Sequence, residues 1–287
     1  MSDGGNPAIQ GRRLRTALKQ ARLDADLTQE QAADALDWSL SKIVRIENGS
    51  VRVSVTDLRA MLGQYKITSP HREKELVSMA RAARQRPWWN AYQEFASRRY
   101  IEFVQLEQAS AATLNYQPQL VPGLLQTRAY AATVIGQPGR GATEQRVAGL
   151  LDFRMKRQEL LNAPEPPALA FALDESVVHR QVGTPEITRE QIRRLIELAG
   201  RPYITIQIFP FAAGLAAGMQ APFVIVSFPD RADPDVLFLE SPRGDTLVAK
   251  DEDEISRYRS MFEDMQKTSL SEPDTVKFLN GLLRDHR

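Results

Sequence analysis

Residues 27–49 read LTQEQAADALDWSLSKIVRIENG, and their side chains suit the reading of nucleic acid. On a helix opened by Ser39, the residues Ser39, Leu40, Ser41, Lys42 and Arg45 fall on one side and Ile43 and Ile46 on the other. Arg can bond a guanine bidentately, Ser can reach a base edge, Leu can pack on a thymine methyl, and Lys serves a phosphate. Gln29, in the first turn of the preceding segment, can bond a phosphate while its helix N-terminus adds backbone donors. Ala32, Ala33, Leu36, Ile43 and Ile46 are small or apolar where two helices would have to cross closely. The same pattern also fits an αα-hairpin in any helical bundle, so periodicity alone does not decide between the two.

The surrounding elements would have to hold that segment in place. Near-helical spacing of Ile9, Leu14, Ala17, Leu18 and Ala21 predicts a helix over 8–24. Thr28 is placed to cap the second helix and Ser39 the third, with Asp37 in the turn between them. Gly49 stands just past the end of the third helix, Ser54 opens a fourth, and Ser69-Pro70 opens an Arg-rich fifth running to about residue 84. Residues 1–86 carry 15 Lys/Arg against 10 Asp/Glu, and the remainder 22 against 26. The asymmetry is modest and points to the first part as the one that meets a polyanion.

With its flanking helices, this segment closely resembles the XRE-type, phage-repressor-like helix-turn-helix family of five-helix DNA-binding domains. The resemblance lies in L-T-Q-E-Q-A-A at the first helix of the pair, in S-x-S-K-I-x-R-I-E-N-G at the second, and in the helix starting at Ser54. It implies that Ser39, Leu40, Ser41 and Arg45 face bases, and that Gln29, Lys42 and Arg52 touch phosphates or groove edges. It also implies a structural ion pair between Arg22 and Glu47. Where the family often has Gly in the turn, this chain has Asp37, a residue that tolerates a left-handed backbone.

After Pro87 comes an aromatic cluster of Trp88, Trp89, Tyr92 and Phe95. Helices are expected across 100–113, 127–135, 143–162, 186–199, 252–268 and 274–285, with a QPGRG turn at 137–141. Strands are expected at 168–173, 203–209, 223–228 and 236–240. The expected fold is therefore an N-terminal all-α helix-turn-helix domain plus a C-terminal α+β domain with a small, mostly antiparallel sheet. The expected boundaries are 1–68 for the first domain, 69–86 for a connecting helix and 87–287 for a regulatory and dimerisation domain. This second part resembles the C-terminal domain of a large actinobacterial regulator family. The matching stretches are W-W-x-x-Y (88–92), V-P-G-L-L-Q-T-x-x-Y-A (121–131), R-M-K-R-Q-E-L-L (154–161), L-D-E-S (173–176) and the strand block 203–240. That resemblance implies an antitoxin-like regulator working with a small protein partner; a ligand-sensing repressor is the alternative.

A DNA-tethered enzyme is the rival class. The chain has no G-x-S-x-G, Walker loop, G-x-G-x-x-G or H-E-x-x-H motif. His71, His179 and His286 lie far apart in polar contexts, and Asp174 and Glu175 after a strand are better read as a helix cap. The Trp88-Trp89 pair could stack a base, but fits a domain-junction anchor better. The absence of Cys excludes disulfides, thiol nucleophiles and thiolate metal sites. No apolar run reaches the roughly 18–20 residues of a membrane helix, and the start MSDGGNPAIQ lacks the pattern of a signal peptide. The expectations are thus no enzyme, metal or cofactor; double-stranded DNA as partner; a homodimer; no membrane; and a cytoplasmic, nucleoid-associated location. The segment 211–220, small, apolar and Gly-containing, is expected to form a loop beside the strands.

Overall fold

The computed structural model describes residues 7–84, 87–137, 143–215, 219, 221–229, 234–240, 246–249 and 251–285. It divides into two compact units, Met1–Asn90 and Ala91–Arg287. Most of the QPGRG turn and residues 216–218 and 220 of the small apolar loop lie outside the described residues.

The first unit is five helices: α1 (Pro7–Asp24), α2 (Gln29–Ala35), α3 (Leu40–Glu47), α4 (Val55–Gln64) and α5 (Pro70–Arg84). Each sends an apolar stripe into one core that includes Leu14, Leu18, Ala32, Ile43, Leu58, Met61 and Leu76. The boundaries expected from the sequence need correction here. The helix read as a connector buries Leu76, Val77, Ala80 and Ala83 and packs along α1, so it is the fifth member of this core. Its Arg-rich exposed face, with Arg81 and Arg84, hides that stripe in the sequence. The division falls at 90/91.

The second unit begins with α6 (Arg98–Ala109) and β1 (Ala112–Gln117), followed by α7 (Arg128–Ile135) and α8 (Glu144–Arg157). Next come β2 (Ala168–Asp174), the short α9 (Glu175–His179), α10 (Pro185–Ala199) and β3 (Ile204–Phe209). Strands β4 (Phe223–Ser227), β5 (Val236–Leu239) and β6 (Thr246–Ala249) then lead to α11 (Glu252–Thr268) and α12 (Glu272–Asp285). The α+β class holds. The sheet has six strands in the order β3-β2-β1-β4-β5-β6. Three pairings are antiparallel, and β1–β2 and β2–β3 are parallel, so the sheet is mixed. The parallel pairs follow from the helices between those strands, which carry the chain back to the same end.

Alternation sorts the strands between two layers. Leu169, Phe171 and Leu173 of β2 face α10 and α12 in one cluster. Ala172, with Tyr116, Phe223 and Leu237 from neighbouring strands, meets Phe262 and Met265 of α11 in another. Two strands were not anticipated, β1 and β6. Central β1 buries Thr113, Asn115 and Gln117 on alternate positions, so it lacks the apolar signature by which a buried strand is recognised.

Candidate nucleic-acid interface

The α2–turn–α3 hairpin is built by local chemistry. The Thr28 hydroxyl accepts from the Gln31 backbone N–H (3.1 Å), and the Gln31 side chain accepts from the Thr28 N–H (2.8 Å), a reciprocal cap for α2. Asp37 takes a left-handed backbone, φ 53°, where a tight turn requires it. Ala32 and Ala33, both buried, leave room for Ile43 and Ile46 to close against the core. Gly49 follows the C-terminal cap of α3 at φ 82°, and its α-carbon lies beneath the Arg15 guanidinium, which an added Cβ would displace.

Ser39, Leu40, Ser41 and Arg45 come together on the exposed face of α3. Ser39 occupies the N-cap position, but its hydroxyl makes no cap hydrogen bond and lies 3.1 Å from that of Ser41. Leu40 is 45 % exposed, one of three large apolar side chains exposed among the described residues of this unit, with Leu23 and Val51. The Arg45 Nε donates to the Ser41 carbonyl (3.1 Å), and Arg45 forms no ion pair among the described residues. Arg52 projects from the turn after α3 beside Val51, both exposed. Val51, 44 % exposed, escaped the sequence reading; an apolar residue within a polar turn was its only signal. That turn is tied by Asn48, whose Oδ1 accepts from the Ser50 N–H and hydroxyl.

Two residues expected at the phosphates have partners within the fold. The Gln29 amide donates to Glu47 Oε2 at 2.7 Å. Glu47 is already held bidentately by Arg22, at 2.7 and 3.0 Å, and Arg22 also donates to the Leu27 carbonyl (2.6 Å). Both side chains of this Arg22–Glu47 pair are under 8 % exposed, in the structural role that the resemblance implied. Lys42 points sideways rather than outward. Its ammonium bonds Asp57 of α4 (2.8 Å) and sits 3.5 Å from the centre of the Trp38 ring. Gln29 and Lys42 therefore fix the pose of α3, from its end and from its flank.

The electrostatics follow the same division. Burial pushes the Asp57 carboxyl up, but hydrogen bonds from Lys42 and Ser54 outweigh it and hold the group below its ordinary value. Burial, with the Glu47 carboxylate nearby, pushes the Tyr65 hydroxyl up to about 12. The positive excess of the unit does not lie on the hairpin, where Lys42 and Arg45 stand among Glu30, Asp34, Asp37 and Glu47. It lies on α1, whose sequence holds Arg12, Arg13, Arg15, Lys19 and Arg22 against one acid, Asp24, although Arg22 is buried against Glu47.

Residues 13–76 match the family described as Helix-turn-helix domain. The match covers most of α1, all of α2, α3 and α4, and half of α5. The first unit is thus a helix-turn-helix domain, the fold of DNA-binding transcription regulators. Residues 100–281 match the family described as Domain of unknown function (DUF5753), which spans the second unit from α6 into α12. The chain belongs to the DUF5753 family. No curated protein and no solved structure matches it.

Within the DUF5753 region, two of the stretches noted in the sequence pack on each other. Arg154 donates to the Gln126 side chain (2.8 Å), and Gln158 donates to the Gly123 and Gln126 carbonyls (both 2.8 Å). Arg157 is bidentate to buried Glu107, at 2.6 Å twice. The L-D-E-S stretch caps α9: Asp174 accepts from the Ser176 N–H (2.9 Å), while Glu175 accepts from the Phe211 N–H (2.7 Å) and lies 3.1 Å from His179. Among the described residues no helix is long and apolar enough to cross a membrane.

Proposed function

We propose that this DUF5753 protein is a sequence-specific, XRE-type transcription regulator that lays α3 in the DNA major groove. Arg45 reads a guanine, Ser39 and Ser41 reach base edges, Leu40 packs on a thymine methyl, and Arg52 meets a phosphate. Gln29 and Lys42 act as positioning residues. The observation that carries this reading is the exposed cluster of Ser39, Leu40, Ser41 and Arg45 on a helix anchored by the buried Arg22–Glu47–Gln29 network. The second unit dimerises the protein so that two hairpins address paired half-sites, and it receives its signal from a small protein partner in an antitoxin-like repressor pair without doing chemistry. The protein works in the cytoplasm at the nucleoid.

Gel-shift measurements with genomic fragments test the reading. A specific fragment should emerge, and Arg45→Ala should relax preference at one base position per half-site by about 1–3 kcal/mol. Unchanged affinity and unchanged preference in Arg45→Ala would sink the assignment of α3. The partner is tested by capture on the full-length chain from native extract, followed by DNA binding with the recovered protein; a partner that leaves operator affinity unmoved removes that half of the proposal.

A further inference from the structure

Helices α10 and α12 pack on each other, and the way they are buried decides what meets at their edge. Ile192, Leu195 and Leu198 of α10 and Leu279 and Leu282 of α12 enter one core. The polar flanks of the two helices are left facing each other at the surface. They border a groove of about 620 Å³, lined by Arg189, Arg193, Lys277, Asn280, Leu283 and Arg284, with no carboxylate in the lining. The part of the chain that holds it is acidic on balance, with 22 Lys/Arg against 26 Asp/Glu after residue 86.

Along the helices of this unit, cations commonly pair with an acid three residues away. Arg189 pairs so with Glu186 (2.9 Å), Arg194 with Glu197 (2.7 Å) and Lys267 with Asp264 (2.8 Å). Arg193 and Lys277 have the same opportunity, with Glu190 and Asp274 three residues before them. Neither takes it among the described residues, and Asp274 accepts from the Ser271 hydroxyl instead (2.6 Å). Arg284 has no acid three or four residues before it and also forms no ion pair among the described residues. Arg189 is thus compensated by Glu186, and Arg193, Lys277 and Arg284 bring uncompensated charge to the groove.

The spacing selects the anion. Lys277 and Arg284 stand about 10 Å apart along α12, and Arg193 borders the same groove from α10. Three charges spread in this way exceed the reach of one phosphate and suit a short chain of them. A guanidinium takes phosphate oxygens bidentately, an ammonium serves as a point charge, and the Asn280 amide adds a donor. The volume lies in the range of about 300–1,000 Å³ found for small-molecule sites. Leu283, the one apolar side chain of the lining, is already packed on the core, which leaves little for a protein segment to bury. Duplex DNA fits less well, because the net negative charge of the surrounding unit repels a long polyanion.

We infer that the α10–α12 groove binds the phosphate chain of a small oligophosphate, held by Arg193, Lys277, Asn280 and Arg284. The inference requires neither the dimer nor the protein partner proposed above.

Isothermal titration of the full-length chain with sodium tripolyphosphate tests it, with orthophosphate and ATP run in parallel. Tripolyphosphate should bind once per chain, more weakly as salt rises, and orthophosphate far more weakly. Arg193→Gln with Lys277→Gln should weaken tripolyphosphate binding at least about tenfold. Arg98→Gln with Lys267→Gln removes as much charge at exposed positions outside the groove and should leave binding unchanged; melting curves check that each variant folds. ATP and tripolyphosphate of equal affinity would mean that the chain alone is read, and tighter ATP that the nucleoside adds contacts; both support the site. No tripolyphosphate binding at low salt, an equal loss in the two double variants, or orthophosphate bound as tightly would overturn it. A groove variant that loses duplex DNA in a gel shift as steeply as it loses tripolyphosphate would also overturn it, by giving the groove to nucleic acid.

Discussion

Each unit encloses a bidentate arginine–glutamate pair, and the two pairs hold different things still. Arg22–Glu47 joins α1 to α3, accepts Gln29 as a third member, and lies beneath an exposed face of Ser39, Leu40, Ser41 and Arg45. Arg157–Glu107 joins α8 to α6, adds the Tyr100 hydroxyl as acceptor (2.7 Å), and places the guanidinium 5.5 and 5.2 Å from the centres of the Tyr100 and Phe103 rings. For Arg22 the hydrogen bond to Glu47 is the leading influence and raises its pKa against burial; for Arg157 burial works to lower it, and the charges of Glu107 and Tyr100 prevail and raise it. One pair braces a surface that faces outward. The other braces scaffold: the helices it joins flank a loop held by Arg154 and Gln158. What a buried ion pair says about function therefore depends on what it immobilises.

The comparison is broken most severely at the inner pair. Glu107→Ala strands a buried guanidinium and should cost about 3–5 kcal/mol of stability, read as a lower urea midpoint. Glu107→Met with Arg157→Met should recover most of the loss, since two apolar residues leave no lone charge. Glu47→Ala should cost about 3 kcal/mol and also remove DNA binding in a gel shift, because α3 loses its anchor. If Glu47→Ala keeps full DNA affinity, the distinction between the two pairs fails.

Smaller effects sharpen it. The Tyr65 hydroxyl is buried beside the first pair with no hydrogen-bond partner among the described residues. Its pKa is raised to about 12, so its contribution is complete below the unfolded tyrosine value of about 10 and is lost as pH climbs towards 12. Tyr65→Phe should abolish that alkaline loss in a stability–pH profile and leave neutral-pH stability unchanged or up by about 1 kcal/mol. The weakest effect belongs to Asp57, whose lowered pKa gives stability present above the unfolded carboxylate value of about 4 and lost as pH falls through the lower folded value. Asp57→Asn should flatten this acid limb by under about 1 kcal/mol, since the Lys42–Asp57 pair is partly exposed.

The parts of the hairpin that depend on neighbours in sequence were readable from it. The Thr28 cap, the left-handed Asp37 and the Gly49 terminus each act over three residues or fewer. The employment of Gln29 and Lys42 was not readable, because their partners lie 18 and 15 residues away and are chosen by how the helices cross. Both are long polar side chains that suit a phosphate equally well, so residue type could not decide. In the second unit the alternating apolar strands β2 to β5 announced themselves. Strand β1 did not, because Thr113, Asn115 and Gln117 occupy one of its buried faces. The fifth helix was misjudged for the opposite reason, its charged exterior masking a four-residue apolar stripe.

The double anchoring of α3, by Glu47 at its end and by Lys42 on its flank, also bears on time. On the proposed reading, in which α3 enters the groove, a helix held in this way has little ordering left to do when it meets DNA. Encounter is then governed by diffusion and by the basic surface of α1, and is nearly the same for any sequence approached. Right and wrong sites would differ in how long the protein stays, so discrimination by this domain belongs to the dissociation rate.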